Sequence, residues 1–140
     1  MSPAEEKQQL LGAAIGVAEL QLNRRQFLHF AATLGRDKKA QTFFTEDLER
    51  NASRAELRDY WAFELGSRVD PETRALCYCA HVRVPLGERG LVPCVFVHFE
   101  QIGGDAEDLV FPCEQGADSK FVLAQALVQP GRHEIFPQKH

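Results

Sequence analysis

Two runs of alternating residues flank Gly87-Glu88-Arg89-Gly90, and alternation on both sides of such a connector leaves few options besides an antiparallel hairpin. Leu76, Tyr78, Ala80, Val82 and Val84 share one parity before the connector, and Val95, Val97 and Phe99 share one after it. Bringing both apolar sets to one face predicts a hairpin over residues 74–101. Its pairs are Leu86 with Leu91, Val84 with Pro93, Val82 with Val95, Ala80 with Val97 and Tyr78 with Phe99. The other face then carries Cys77, Cys79, His81 and Arg83 opposite Cys94, Phe96, His98 and Glu100, with Cys79 directly across from His98. Gly103-Gly104-Asp105 signals a turn into a third strand, Leu109-Val110-Phe111, and Pro112 marks that strand as an edge or the end of its pairing. Pairing Ile102 with Leu109 would set Cys113 beside His98 and complete a row of Cys79, His98 and Cys113.

The segments before the hairpin read as helices. Ser2 and Glu5 form a capping box around Pro3, and Leu11, Ala14, Ile15, Ala18 and Leu22 follow as one stripe. Phe27, Phe30, Ala31 and Leu34 resume a helical spacing, which predicts a kinked helix or two helices meeting near Asn23. Gly12 and Gly16 make a flat strip suited to close approach by another helix, within the chain or in a second copy. Residues 37–52 are expected to hold a short helix with Phe43 and Phe44 as core contacts. A second capping box, Ser53 with Glu56, opens a helix bearing Leu57, Tyr60, Trp61 and Leu65 and stopped by Gly66. After the strands, Phe121 to Val128 reads as a C-terminal helix capped by Asp118 or Ser119 and ended by Pro130-Gly131, with Ile135 and Phe136 as a last short strand. The expected fold is α+β in one domain, residues 1–140. N-terminal helices (2–66) pack on one face of a three- to four-stranded antiparallel sheet (74–114), followed by a C-terminal helix and tail (118–140).

Composition narrows the function classes. Sixteen Lys and Arg against twenty Asp and Glu leave a net charge of −4, and basic residues cluster only as Arg24-Arg25 and Arg36 with Lys38-Lys39, so no nucleic-acid partner is expected. The acidic, helix-capping start is unlike a Sec signal. Asn23 to His29 has the look of a twin-arginine box, but the apolar stretch after it is cut short by Arg36-Asp37-Lys38-Lys39. Four cysteines without a leader suit a reducing, cytoplasmic setting, and no apolar run reaches the ~18 residues of a membrane span.

Chemistry on the mixed hairpin face has two forms. Thiolates and imidazoles are zinc ligands, which makes Cys79, His98 and Cys113 candidate metal residues, although the spacing matches no compact zinc motif. Cys79 across from His98, with Glu100 two residues on, is also a thiol–imidazole pair, but no glycine-rich oxyanion loop accompanies it. Phosphate-binding, dinucleotide-binding and zinc-protease motifs are missing, so no cofactor and no catalytic residue are assigned. The expected function is a small acidic protein-interaction domain, an adaptor, regulator or inhibitor. It would bind a partner protein or pair with itself as a homodimer through this face, with Phe96 as anchor, Arg83 and Glu100 at the rim, and His81 and His98 between them. The competing class is a small-ligand or metal-binding domain, including a cysteine-dependent enzyme, built on the same Cys/His face.

Overall fold

Ser2 accepts from the Glu5 backbone N–H while the Glu5 carboxylate accepts from the Ser2 N–H, and this capping box starts helix α1 (Pro3–Asn23). The computed structural model describes residues 1–136. Leu10, Ala14, Ala18 and Leu22 recur every fourth residue along α1 and form its buried stripe. They meet Phe30, Leu34, Cys77, Cys79, Val95, Val97, Phe99, Leu109 and Phe111 on the inner side of the sheet. Each Leu or Phe fully buried there is worth roughly 1.5–3 kcal/mol. Glu6, also buried, accepts from Arg74 at 3.1 Å and Gln101 at 3.1 Å, and Lys7 pairs with Glu107 at 2.7 Å, which pins the start of α1 to the far strands.

The strands are β1 (His29–Gly35), β2 (Ala40–Thr45), β3 (Thr73–Pro85), β4 (Leu91–Gln101), β5 (Ala106–Gln115), β6 (Phe121–Leu123) and β7 (Leu127–Pro130). They form one antiparallel sheet in the order β2-β1-β3-β4-β5-β6, with β7 also pairing β5, curled into a half-barrel around α1. The α+β class and the antiparallel sheet stand. The count of three to four strands is corrected to seven, and the N-terminal helices on one face are corrected to one helix on each face. Helix α2 (Arg54–Gly66), opened by the Ser53/Glu56 capping box, covers the outer side with Leu57, Trp61 and Leu65 against Ala31, Leu76, Tyr78 and Ala80.

The corrections share a physical cause. Residues 29–34 are all buried because β1 is covered on both faces, and a strand buried on both faces carries no alternation to separate it from a helix. The expected short helix over 37–52 contains instead the edge strand β2, paired to β1 from His29↔Thr45 to Leu34↔Ala40. The expected C-terminal helix is replaced by β6 and β7 on β5, where ladder partners outweigh the helical preference of an Ala- and Leu-rich run. Ile135 and Phe136 form no strand, and residues 137–140 of the expected tail lie outside the described residues.

The hairpin itself forms one residue out of the expected register. Tyr78 pairs with His98, Cys79 with Val97 and Ala80 with Phe96, closed at Pro85↔Leu91 by a five-residue connection in which Gly87 and Gly90 take φ of 56° and 72°. The alternating sets are real, but they face opposite ways: Tyr78 and Ala80 lie outward, Val95, Val97 and Phe99 inward. Likewise β5 meets β4 as Val97↔Leu109 and His98↔Asp108, so Cys113 is not beside His98. Pro112 does not mark an edge. It lies in the gap between the β7 and β6 pairings, and its carbonyl accepts from the Ala124 N–H at 2.8 Å.

Candidate functional site

The register divides the expected mixed face between the two sides of the sheet. Cys77 and Cys79 are buried inward, with burial and then the neighbouring Cys77 pushing the Cys79 thiol well above its ordinary range. His81 shares their parity and lies at the exposed rim with its ring 5.4 Å from Phe27, and burial followed by Arg83 lowers its pKa. Phe96, His98 and Glu100 lie on the outer side, where His98 and Glu100 have no exposed surface at all. Arg83 is exposed and Phe96 half-buried. Cys79 and His98 therefore form neither a thiol–imidazole pair nor, with Cys113, a ligand row. Among the described residues no three His, Cys, Asp or Glu side chains are arranged to hold a metal ion.

The outer side holds a charged network instead. His98 Nδ1 is 2.7 Å from Asp108 and Nε2 is 2.7 Å from Glu100. Burial opposes the imidazolium, but the bonds to Asp108 and Glu100, helped by nearby Glu134, raise the His98 pKa to about 9. Glu100 accepts from the backbone N–H groups of Glu134 (2.8 Å), Ile135 (3.1 Å) and Phe136 (2.9 Å) and meets His133 Nδ1 at 3.2 Å. Burial pushes the Glu100 pKa up, yet the His98 bond and these amides outweigh it and hold the carboxyl below its usual range. Arg54 pairs with Glu134 at 2.5 Å and bonds the Tyr78 hydroxyl, which itself donates to Glu134 at 2.5 Å. The guanidinium also covers the Phe96 ring at 4.9 Å.

This arrangement is suited to fastening, not to proton transfer. An imidazolium gripped at both nitrogens has no free lone pair with which to act as a base. Glu100 acts as a buried latch for the segment His133–Phe136, and that segment brings Phe136 into the α2-side core. Spacing in the chain could not have revealed this, because Arg54, Tyr78, Asp108 and Glu134 come from four separate segments.

A cleft with different chemistry opens beyond the C-terminal end of α1. About 320 Å³ in volume, it is lined by Leu22, Phe27, Pro93 and Phe121 and by the polar residues Arg25, Gln26, His29, Arg50, His81 and Cys113. Helix α1 ends with Arg24 as cap, and Arg25 follows at φ 55°, a left-handed position that glycine usually fills because a Cβ there costs ~1 kcal/mol or more. Neither the Arg25 nor the Arg50 side chain forms an ion pair or hydrogen bond among the described residues. His29, 6% exposed, donates from Nε2 to the Glu49 carbonyl at 2.8 Å, which leaves Nδ1 as a buried acceptor with no partner among them. Burial, with Cys94 nearby, pushes the Cys113 thiol up to about 11, so it is uncharged at neutral pH and a weak nucleophile. A larger depression of about 660 Å³ between the β4–β5 turn and β7 is lined by Gly103, Gly104, Ala106, Val128, Pro130 and Gly131 with the polar residues Asp105, Glu107, Gln129, Arg132 and His133, and has no aromatic wall.

Comparison of the chain with protein-family models, curated proteins and solved structures finds no match. No helix among the described residues is long and apolar enough to cross a membrane.

Proposed function

We propose that the protein is a small-ligand-binding domain whose cleft takes an apolar, preferably aromatic, carboxylate. The carrying observation is that an arginine stands in the strained left-handed position after α1, lining an apolar cleft beside a second arginine, with neither guanidinium paired among the described residues. Lys38 and Ser119 share the left-handed conformation, but of the three only Arg25 lines this cleft; both guanidiniums are exposed at its rim, and the buried polar atom of the lining without a partner among the described residues is His29 Nδ1. The volume lies at the small end of the ~300–1,000 Å³ typical of ligand pockets. Phe27, Phe121, Leu22 and Pro93 supply an apolar wall, and Arg25 and Arg50 supply counter-charge. This reading takes the ligand-binding class rather than the sheet-face interaction module, because Phe96 is covered by Arg54 while His98 and Glu100 are occupied by the protein's own groups.

A thermal-shift and calorimetric panel of aromatic and medium-chain aliphatic carboxylates, each beside its neutral amide, tests the reading. Aromatic carboxylates should raise the melting temperature and their amides should not, and the double variant Arg25→Ala/Arg50→Ala should lose the response while still folding. Equal shifts for acids and amides, or none for either, would remove the proposal.

A further inference from the structure

The two edges of the sheet are finished differently. At one, β6 and β7 share the border as pieces of three and four residues, and β7 stops at Pro130, devices that prevent a strand from recruiting another. At the other, β2 runs six residues, Ala40-Gln41-Thr42-Phe43-Phe44-Thr45, with no charge and no proline, and it is paired only to β1. The Gly35 N–H donates to the Lys39 carbonyl, so the alternation of the ladder turns the backbone groups of Lys39, Gln41, Phe43 and Thr45 toward β1. Those of Ala40, Thr42 and Phe44 point out of the sheet, with no partner among the described residues.

We infer that β2 is the interface of a homodimer, in which two copies pair this strand antiparallel about a two-fold axis through Thr42 and join their sheets. Thr42 is the central member of the outward set, so an axis through it is the one that pairs all three outward residues of the strand with outward residues of its copy. Pairing Thr42 with Thr42 sets Ala40 across from Phe44 on both sides, which makes about six backbone hydrogen bonds. The same register carries Lys38 of each copy to Glu46 of the other, with Asp37 and Asp47 facing at the next position out, so the opposite-charge contact at each end of the strand is Lys38 with Glu46. None of these four side chains forms a salt bridge among the described residues. Centring on any other residue of β2 leaves at least one of its three outward residues opposite a residue outside the strand. On the α1 side of the strand, Phe44 and Leu20 are 53% and 52% exposed beside a groove of about 310 Å³ that also involves Val17 and Leu28. Pairing seats each Phe44 across from Ala40 of the other copy on this side of the joined sheet.

Sedimentation equilibrium of the full chain over a concentration series tests the interface independently of any ligand. The wild type should dimerise, and Thr42→Pro, which removes an N–H that the chain itself does not use, should be monomeric with a cooperative melt retained. Should Thr42→Pro fail to fold, the surface variants decide. Lys38→Glu and Glu46→Lys should each raise the dimer Kd about tenfold, and mixing the two should restore it because both junctions then pair opposite charges. A wild type that stays monomeric to ~200 µM, or a dimer indifferent to all three variants, would overturn the inference.

Discussion

Against α1 the sheet presents Phe30, Leu34, Val95, Val97 and Phe99 with the buried Cys77 and Cys79, whereas against α2 it presents Tyr78, His98 and Glu100 beside Leu76 and Ala80. The first face is closed by shape and by the removal of apolar surface from water. The second is closed by a network in which Arg54 and His98 face Glu100, Asp108 and Glu134, and in which one carboxylate holds the end of the described chain. The difference teaches that the outer layer is specified by partners more than by volume. A buried charge is tolerated there only while every member is paired, so single deletions on this side should cost more than the size of the lost group suggests.

The largest effect is expected from Glu100→Ala, which strands the His98 imidazolium and three backbone N–H groups at once. Urea denaturation should show a loss of about 4 kcal/mol, with amide exchange accelerated at Glu134, Ile135 and Phe136. A loss under ~1 kcal/mol would mean that the network does not close this face. Val97→Asp inverts the experiment on the apolar side by placing an unpaired carboxylate at a residue only 1% exposed. It should cost a comparable ~3–5 kcal/mol and leave little folded protein by circular dichroism.

The pH dependence separates the faces without mutation. His98 holds its proton more tightly in the folded chain, at about 9 against an ordinary 6.5, so its contribution is complete below about pH 6.5 and is lost as pH rises through about 9. That displacement corresponds to about 3 kcal/mol. Glu100, lowered on folding, acts on the acid side: its contribution is present above about pH 4.5 and disappears as pH falls through the depressed value. Denaturation midpoints measured between pH 6 and 9.5 should decline in the wild type and flatten in His98→Gln. An equally steep decline in that variant would assign the effect elsewhere.

Arg54→Met tests the exposed end of the network. Because the guanidinium is partly solvated and its stem can still cover Phe96, a loss of only ~1 kcal/mol is expected, and raised salt should shrink it. The smallest effect has the opposite sign. A Cβ at Gly12 or Gly16 would meet nothing within 4 Å, so no element among the described residues packs closely on this strip. Gly16→Ala should therefore stabilise α1 by ~0.5–1 kcal/mol, and a lowered melting temperature would show that the outward face of α1 is covered after all.

Much of the local structure was legible. The capping boxes at Ser2 and Ser53 place both helix starts because a cap depends on residues three apart, and the two alternating runs around Gly87 to Gly90 identify the long hairpin. The candidate site was legible only in pieces: His81 and Cys113, noticed on the hairpin and after it, do line the cleft, while Arg25, His29 and Arg50 join them from the end of α1, the start of β1 and the loop after β2. No spacing rule links such residues.

What the sequence determined by itself was the parity of β3 and β4, the starts of α1 and α2 and the α+β class, since these follow from contacts a few residues apart. Tertiary structure alone decided which parity faces which helix. With both faces covered, both parities are largely apolar, so a one-residue shift leaves the pattern intact while moving His98 from a cysteine to a pair of carboxylates. The strand character of β1, β6 and β7 was decided in the same way, by ladder partners distant in the chain and not by the residues that form them.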